Sequence, residues 1–159
     1  MPDALADRVP VGKPGRILVP VDFSSGSAVA LRYGVKLARA LQAQLCIVHV
    51  WRNPISLWEG GLGVPRSVTR ELESAARAEL DATLAKTRSE YPRVDARFYL
   101  GDPRDGILKA ARDCHADAIV IATHGRSGLT RVLVGSVAEH VLRHATCPVL
   151  TLSRAAIHA

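Results

Sequence analysis

Ala118-Ile-Val-Ile-Ala-Thr-His-Gly-Arg-Ser-Gly-Leu-Thr-Arg-Val-Leu-Val-Gly-Ser136 is the stretch on which the fold turns. Its first five residues, Ala118 to Ala122, are all apolar, as expected of a strand buried on both faces of a parallel sheet. Thr123 to Gly135 then reads as a loop, punctuated by Gly125, Gly128 and Gly135. A helix is predicted from about Ser136 to His144, and Pro148 to Ser153 (Pro-Val-Leu-Thr-Leu-Ser) reads as another strand. Strand, loop, helix and strand in that order form a parallel crossover unit.

The same alternation extends toward the N-terminus. Arg16 to Val21 is a short apolar strand with Pro20, which cannot donate to a ladder, expected at its end. Asp22-Phe-Ser-Ser25 leads into a helix that Ser24 or Ser25 can cap, with Ala28, Leu31, Val35, Ala38 and Leu41 expected on its apolar face. Gln44 to Trp51 is a second strand, and Asn53 to Pro65, with two prolines and three glycines, reads as a loop. A long helix is expected over Ser67 to Tyr91, with a stripe of Leu72, Ala76, Leu80 and Leu84. Val94 to Leu100 alternates polar and apolar residues as a half-exposed edge strand does. Gly101-Asp102-Pro103 signals a helix start with Asp102 as cap, and Ile107, Leu108 and Ala111 form that helix's inner face. The sum is an α/β fold: a doubly wound, five-stranded parallel sheet with helices on both faces. Ligands of such sheets bind beyond the carboxyl ends of the strands where strand order reverses. Asp22, and Thr123 to Ser136, lie at two such ends.

The chain has 159 residues, enough for one domain, expected over 15–153 with tails at 1–14 and 154–159. Aromatic residues are 4% against 48% hydrophobic, so the core must be aliphatic. The net charge is +6, but no two Lys or Arg residues are adjacent and stacking aromatics are few, so the basic residues read as a solvated surface and no nucleic-acid partner is expected. Cys46, Cys114 and Cys147 are far apart and lack metal-ligand spacing, which suits reduced thiols in a cytoplasmic protein. Met1 to Gly15 is largely polar, and no apolar run approaches the roughly 20 residues needed to span a membrane.

Chemistry concentrates in the glycine-rich loop. Free backbone N–H groups and the positive end of a helix dipole favour phosphate there. Gly125 and Gly128 allow close approach of a ligand, and Ser136 can donate to a phosphate oxygen or cap the helix. Taken alone, three glycines favour a plain surface loop in which they only make turns. The loop has no Walker lysine and does not follow the first strand, so it is neither a P-loop nor the dinucleotide fingerprint. His124 is the only loop histidine, and no Gly-x-Ser-x-Gly elbow accompanies it, so no catalytic residue is assigned. His140 and His144 lie one turn apart, but Glu139 precedes them, unlike the arrangement in H-E-x-x-H, and no metal site is assigned. Ser24-Ser-Gly-Ser27 lacks the paired glycines of an adenylating enzyme's pyrophosphate loop.

Thr123-His-Gly-Arg-Ser-Gly-Leu-Thr-Arg-Val-Leu-Val-Gly-Ser-Val137, with Ala138-Glu-His-Val-Leu-Arg-His-Ala-Thr-Cys-Pro-Val149 behind it, resembles the signature region of the universal stress protein family. Ile17-Leu-Val-Pro-Val-Asp22, Ser24, Ala30-Leu31, Val48-His-Val50 and Gly101-Asp-Pro103 resemble it too, so the likeness runs from about Gly15 to Ser153. The nucleotide-binding branch carries Gly-x-x-Gly, nine residues, then Gly-Ser or Gly-Thr. Gly125, Gly135 and Ser136 match that pattern, and Ala122 stands where it has its first glycine. The resemblance implies a Rossmann-like fold of the adenine nucleotide alpha-hydrolase type that binds ATP with magnesium. It implies that Asp22 bonds the ribose with Pro20 and Val21 beside it, and that Val50 and Ile121 line the adenine pocket. It places the phosphates on Gly125, Arg126, Gly128, Gly135, Ser136 and Val137, with Ala122 alongside. By their residues alone, Asp22 reads equally as a cap at a strand–helix turn, and Val50 as core. The resemblance also implies a homodimer, for which the apolar edge Pro148–Ser153 is the expected interface. Its functional alternatives are a stress or signalling module, with at most slow ATP hydrolysis or autophosphorylation, and an interaction protein of the same fold that binds no nucleotide.

Overall fold

A computed structural model describes residues 12–53, 65–123 and 134–153. Five strands and four helices alternate along it: β1 (Arg16–Pro20), α1 (Ser25–Leu41), β2 (Gln44–Trp51), α2 (Arg66–Glu90), β3 (Val94–Leu100), α3 (Pro103–Asp113), β4 (Ala118–Ala122), α4 (Ser136–His144) and β5 (Val149–Leu152). The strands form one parallel sheet in the order β3-β2-β1-β4-β5. The order runs one way from β1 to β3 and the other way through β4 and β5. The switch point therefore lies between β1 and β4.

Strand alternation divides the core in two. Ile17, Val19, Leu45, Ile47 and Val120 face α1 and α2, packing with Ala30, Leu31, Val35, Ala38 and Leu80. Leu18, Cys46, Val48, Ile119 and Ile121 face α3 and α4, packing with Ile107, Leu108, Ala111, Ala138 and Val141. β1 and β2 are covered on both sides, which is why they read as unbroken apolar runs. All three cysteines are free, with Cys46 and Cys114 buried. Among the described residues, no helix is long and apolar enough to cross a membrane.

Local chemistry sets the helix ends. Ser24 caps α1, its hydroxyl oxygen accepting from the Ser27 amide at 3.2 Å. Asp102 caps α3, accepting from the Arg104 amide at 2.8 Å, with Pro103 as the first helical residue. The cap position of α4 is Gly135, without a side-chain cap bond, so Ser136 is not the cap but the first residue of the helix.

The faces of two helices differ from the sequence reading. On α1 the buried stripe is Ser27, Ala30, Leu31, Gly34, Val35 and Ala38, whereas Ala28 is exposed. Small residues, not the apolar series alone, mark where α1 meets the sheet. On α2 only Leu80 and Thr87 are buried, and Leu72 is 45% exposed. A helix of 25 residues is ~37 Å long at 1.5 Å per residue, longer than the strands beneath it. Its first turns overhang the sheet. The last strand is one residue shorter at each end than expected, although the Pro148 carbonyl accepts from Ile119.

Candidate functional site at the strand switch point

A cavity of about 280 Å³ opens where the carboxyl ends of β1 and β4 diverge. Pro20, Val21 and Asp22 line it from the end of β1, and Val50 from β2. Ile121 and Ala122 line it from β4, and Gly135, Ser136 and Val137 from the start of α4. The residues singled out in the sequence are thus brought together wherever they are described. Gly125, Arg126, Gly128 and His124 lie outside the described residues.

The structure adds Ser27, Val48, Pro103, Ile107, Thr123 and Ala138 to the lining. Ile107 had been legible as a core-facing residue and Pro103 as a turn. Nothing in one sequence says that α3 packs over the end of β2 and closes the apolar side of the cavity. The approach is tight: a Cβ built on Gly106 would stand 2.6 Å from Val50 Cγ1 and 3.2 Å from Val50 Cβ. Glycine at that position lets α3 approach Val50.

The lining has two characters. Val48, Val50, Ile107, Ile121 and Val137 are aliphatic. Asp22, Ser27, Thr123 and Ser136 are polar, and α4 begins among them. Asp22 is built into the turn after β1. Its Oδ1 accepts from the Ser24 amide at 3.0 Å and the Ser24 hydroxyl at 2.5 Å, and its own amide donates to Ser27 Oγ at 3.3 Å. Asp22 thus braces the strand–helix turn by bonding Ser24, which is itself the cap of α1, and the same turn places Asp22 in the cavity wall. Phe23, next to it, has a φ of 62°. A bulky residue in the left-handed region costs about 1–3 kcal/mol, which neighbouring contacts must offset.

Ala122 stands at the position where the nucleotide-binding pattern has glycine. Alternation along β4 sends Ile121 to the α3/α4 side and Ala122 to the other, where its methyl packs against the first core. The extra methyl therefore points away from the aliphatic wall formed by Val50, Ile107 and Ile121.

Charged side chains flank Pro103 in the chain, at the start of α3. Arg104 and, more weakly, Arg52 hold the Asp102 carboxyl well below the usual carboxylate range, through hydrogen bonds from Arg104 and the charge of both. On α4 the His140 and His144 rings stack at 4.2 Å, and His140 Nε2 lies 3.7 Å from Asp105 Oδ1. Among the described residues no three His, Cys, Asp or Glu side chains are placed to hold a metal ion. The Ser24–Ser27 segment forms the first turn and cap of α1.

Comparison with known proteins agrees with this architecture. The model of the universal stress protein family matches residues 14–153. A universal stress protein of Bacillus subtilis is 32% identical over 142 residues, covering 85% of this chain and 96% of its own. One from Methanocaldococcus jannaschii is 30% identical over 154 residues, covering 87% and 94%. The solved structure of a universal stress protein from Lactobacillus plantarum superposes with a TM-score of 0.74 at 26% identity, covering 89% of this chain and 99% of its own. With a family match over nearly its whole length and relatives about 30% identical across most of the chain, the chain belongs to the universal stress protein family.

Proposed function

We propose that the switch-point cavity binds an adenine nucleotide, ATP with magnesium, and that the protein acts as a nucleotide-dependent stress or signalling module rather than as a dedicated enzyme. The observation that carries this reading is the division of one cavity into an aliphatic slot and a polar end that includes a helix N-terminus. A purine needs a flat apolar slot, which Val50, Ile107 and Ile121 provide. Ribose hydroxyls donate to a carboxylate, and Asp22 supplies one. Phosphate oxygens accept from N–H and O–H groups where a helix begins, and Gly135, Ser136 and Val137 supply those. Magnesium would enter with the phosphates and supply positive charge that offsets theirs beside Ser136.

Two further proteins of this fold were solved with nucleotides, one with cAMP (TM-score 0.64, 21% identity) and one from Archaeoglobus fulgidus with dAMP (TM-score 0.61, 24% identity). Those likenesses speak to the fold, and the ligands are those proteins' own. They agree with the reading without carrying it. The protein is further proposed to work in the cytoplasm, where its free thiols stay reduced. It is also proposed to form a homodimer through β5, an edge strand on which Leu150 is 39% exposed.

The test is an amide spectrum recorded during ATP titration. Shifts centred on Asp22, Val50, Ile121 and Ser136 support the reading. Shifts confined to residues away from the cavity sink it.

A further inference from the structure

His49 is a buried polar side chain that does not line the cavity. It lies on β2 with 8% exposure, directed toward the α1/α2 face, whereas the aliphatic slot belongs to the other face. Its Nδ1 is 2.8 Å from the Val21 carbonyl oxygen. A carbonyl only accepts, so Nδ1 carries the proton and donates. The β1–β2 ladder ends one residue earlier, at Pro20 opposite Val48, and the Val21 amide donates to the Val48 carbonyl at 2.8 Å. Both backbone groups of Val21 are therefore tied to β2, the second by a side chain where the ladder stops. The His49 ring also stacks on Phe23, with centroids 4.4 Å apart and planes 29° apart, while Phe98 packs against it at 5.6 Å. Phe23 is the residue with left-handed backbone.

Asp22 sits between these two points of contact. Its amide and carboxylate are engaged by Ser27 and Ser24 of the following turn. A turn held on one side of Asp22 by a hydrogen bond and on the other by a stacked ring cannot rotate without breaking one of them.

We propose that His49 is the positioning residue of the site: from the far face of the sheet it latches the Val21–Ser24 turn and so sets where the Asp22 carboxylate stands in the cavity. The effect of this latch on ligand affinity rests on the nucleotide reading above. The latch itself does not.

The experiment compares His49→Phe, which keeps a ring for stacking but has no donor, with His49→Asn, which returns an N–H near the Nδ1 position. His49→Gln, of similar size but with its donor elsewhere, stands in should the Phe variant fail to fold. Two readouts are taken: hydrogen exchange at the Ser24 amide in the ligand-free protein, and ATP affinity in wild-type and Asp22→Ala backgrounds. Loss of the donor is expected to speed Ser24 exchange and weaken ATP binding, each about tenfold, as befits one lost buried hydrogen bond. Asn should recover part of both, and the affinity loss should vanish in the Asp22→Ala background, because His49 acts through Asp22. Wild-type exchange at Ser24 in the Phe or Gln variant would overturn the proposal. So would an affinity loss that persists undiminished without Asp22. If wild type binds no ATP, the nucleotide reading fails, and Ser24 exchange alone decides the latch.

Discussion

The Gly135 amide donates to the Thr123 carbonyl at 2.6 Å, and a Cβ built on Gly135 would meet that same oxygen at 2.8 Å. The end of β4 and the start of α4 are thus tied together at the lip of the cavity. Thr123 is in turn tied to β5, its amide and hydroxyl both donating to the Leu152 carbonyl at 3.0 and 3.1 Å. The φ of Gly135 is −58°, an ordinary value, so glycine is required here for close approach rather than for backbone freedom.

Gly135→Ala should therefore destabilise the fold. The obstacle is a backbone oxygen that cannot rotate away, so a loss of about 1–3 kcal/mol is expected, as for other overpacked sites. Denaturant unfolding measures it. A variant as stable as wild type would show that the lip relaxes at no cost.

Gly106→Ala sets two effects against each other. In a helix interior the change ordinarily gains ~1 kcal/mol. Here the new methyl would press on Val50, whose Cβ is itself only 3.2 Å away and whose branched side chain has little freedom. Overpacking should win, giving a net loss of about 1 kcal/mol and a several-fold weaker nucleotide affinity as Val50 is pushed into the slot. Raised stability with unchanged affinity would show that α3 moves away instead.

Asp102 links stability to pH. Arg104 and Arg52 lower its folded pKa, so its contribution is full above the unfolded value of ~3.9 and is lost as the pH falls toward the folded value. Asp102→Ala removes the α3 cap and should cost about 1 kcal/mol at neutral pH. The gap between variant and wild type should close as the pH drops below 4. Parallel stability curves down to strongly acidic pH would contradict the assignment.

The proposed dimer rests on the β5 edge. Leu150→Lys places a charge on an exposed apolar position of that edge. Light scattering should report a dimer for wild type and a monomer for the variant. A dimer in both would move the interface elsewhere.

Much of this fold was legible because strands buried on both faces are nearly unbroken apolar runs and two helix starts, those of α1 and α3, carry a side-chain cap. Ser24 and Asp102 act as caps where the sequence placed them. The apolar stripes of α1 and α2 held at Leu31, Val35, Ala38 and Leu80 and failed at Ala28 and Leu72, for physical reasons. Contact with the sheet selects small residues such as Ser27 and Gly34 on α1, and α2 outruns the strands it covers. Asp22 and Ser136 could be picked out because they stand at strand or helix ends, and Ile121 only through the family resemblance. Pro103, Ile107 and His49 could not, since their roles arise from the packing of α3 over β2 and from a hydrogen bond between neighbouring strands.

Nucleotide binding at the switch point is decided by calorimetric titration of ATP with magnesium into wild type, Asp22→Ala and Ser136→Ala. One site with an affinity on the order of micromolar is expected, weakened about tenfold or more in each variant, while both variants unfold cooperatively. No heat from folded wild type at millimolar-range ATP, or equal affinity in all three proteins, would contradict it.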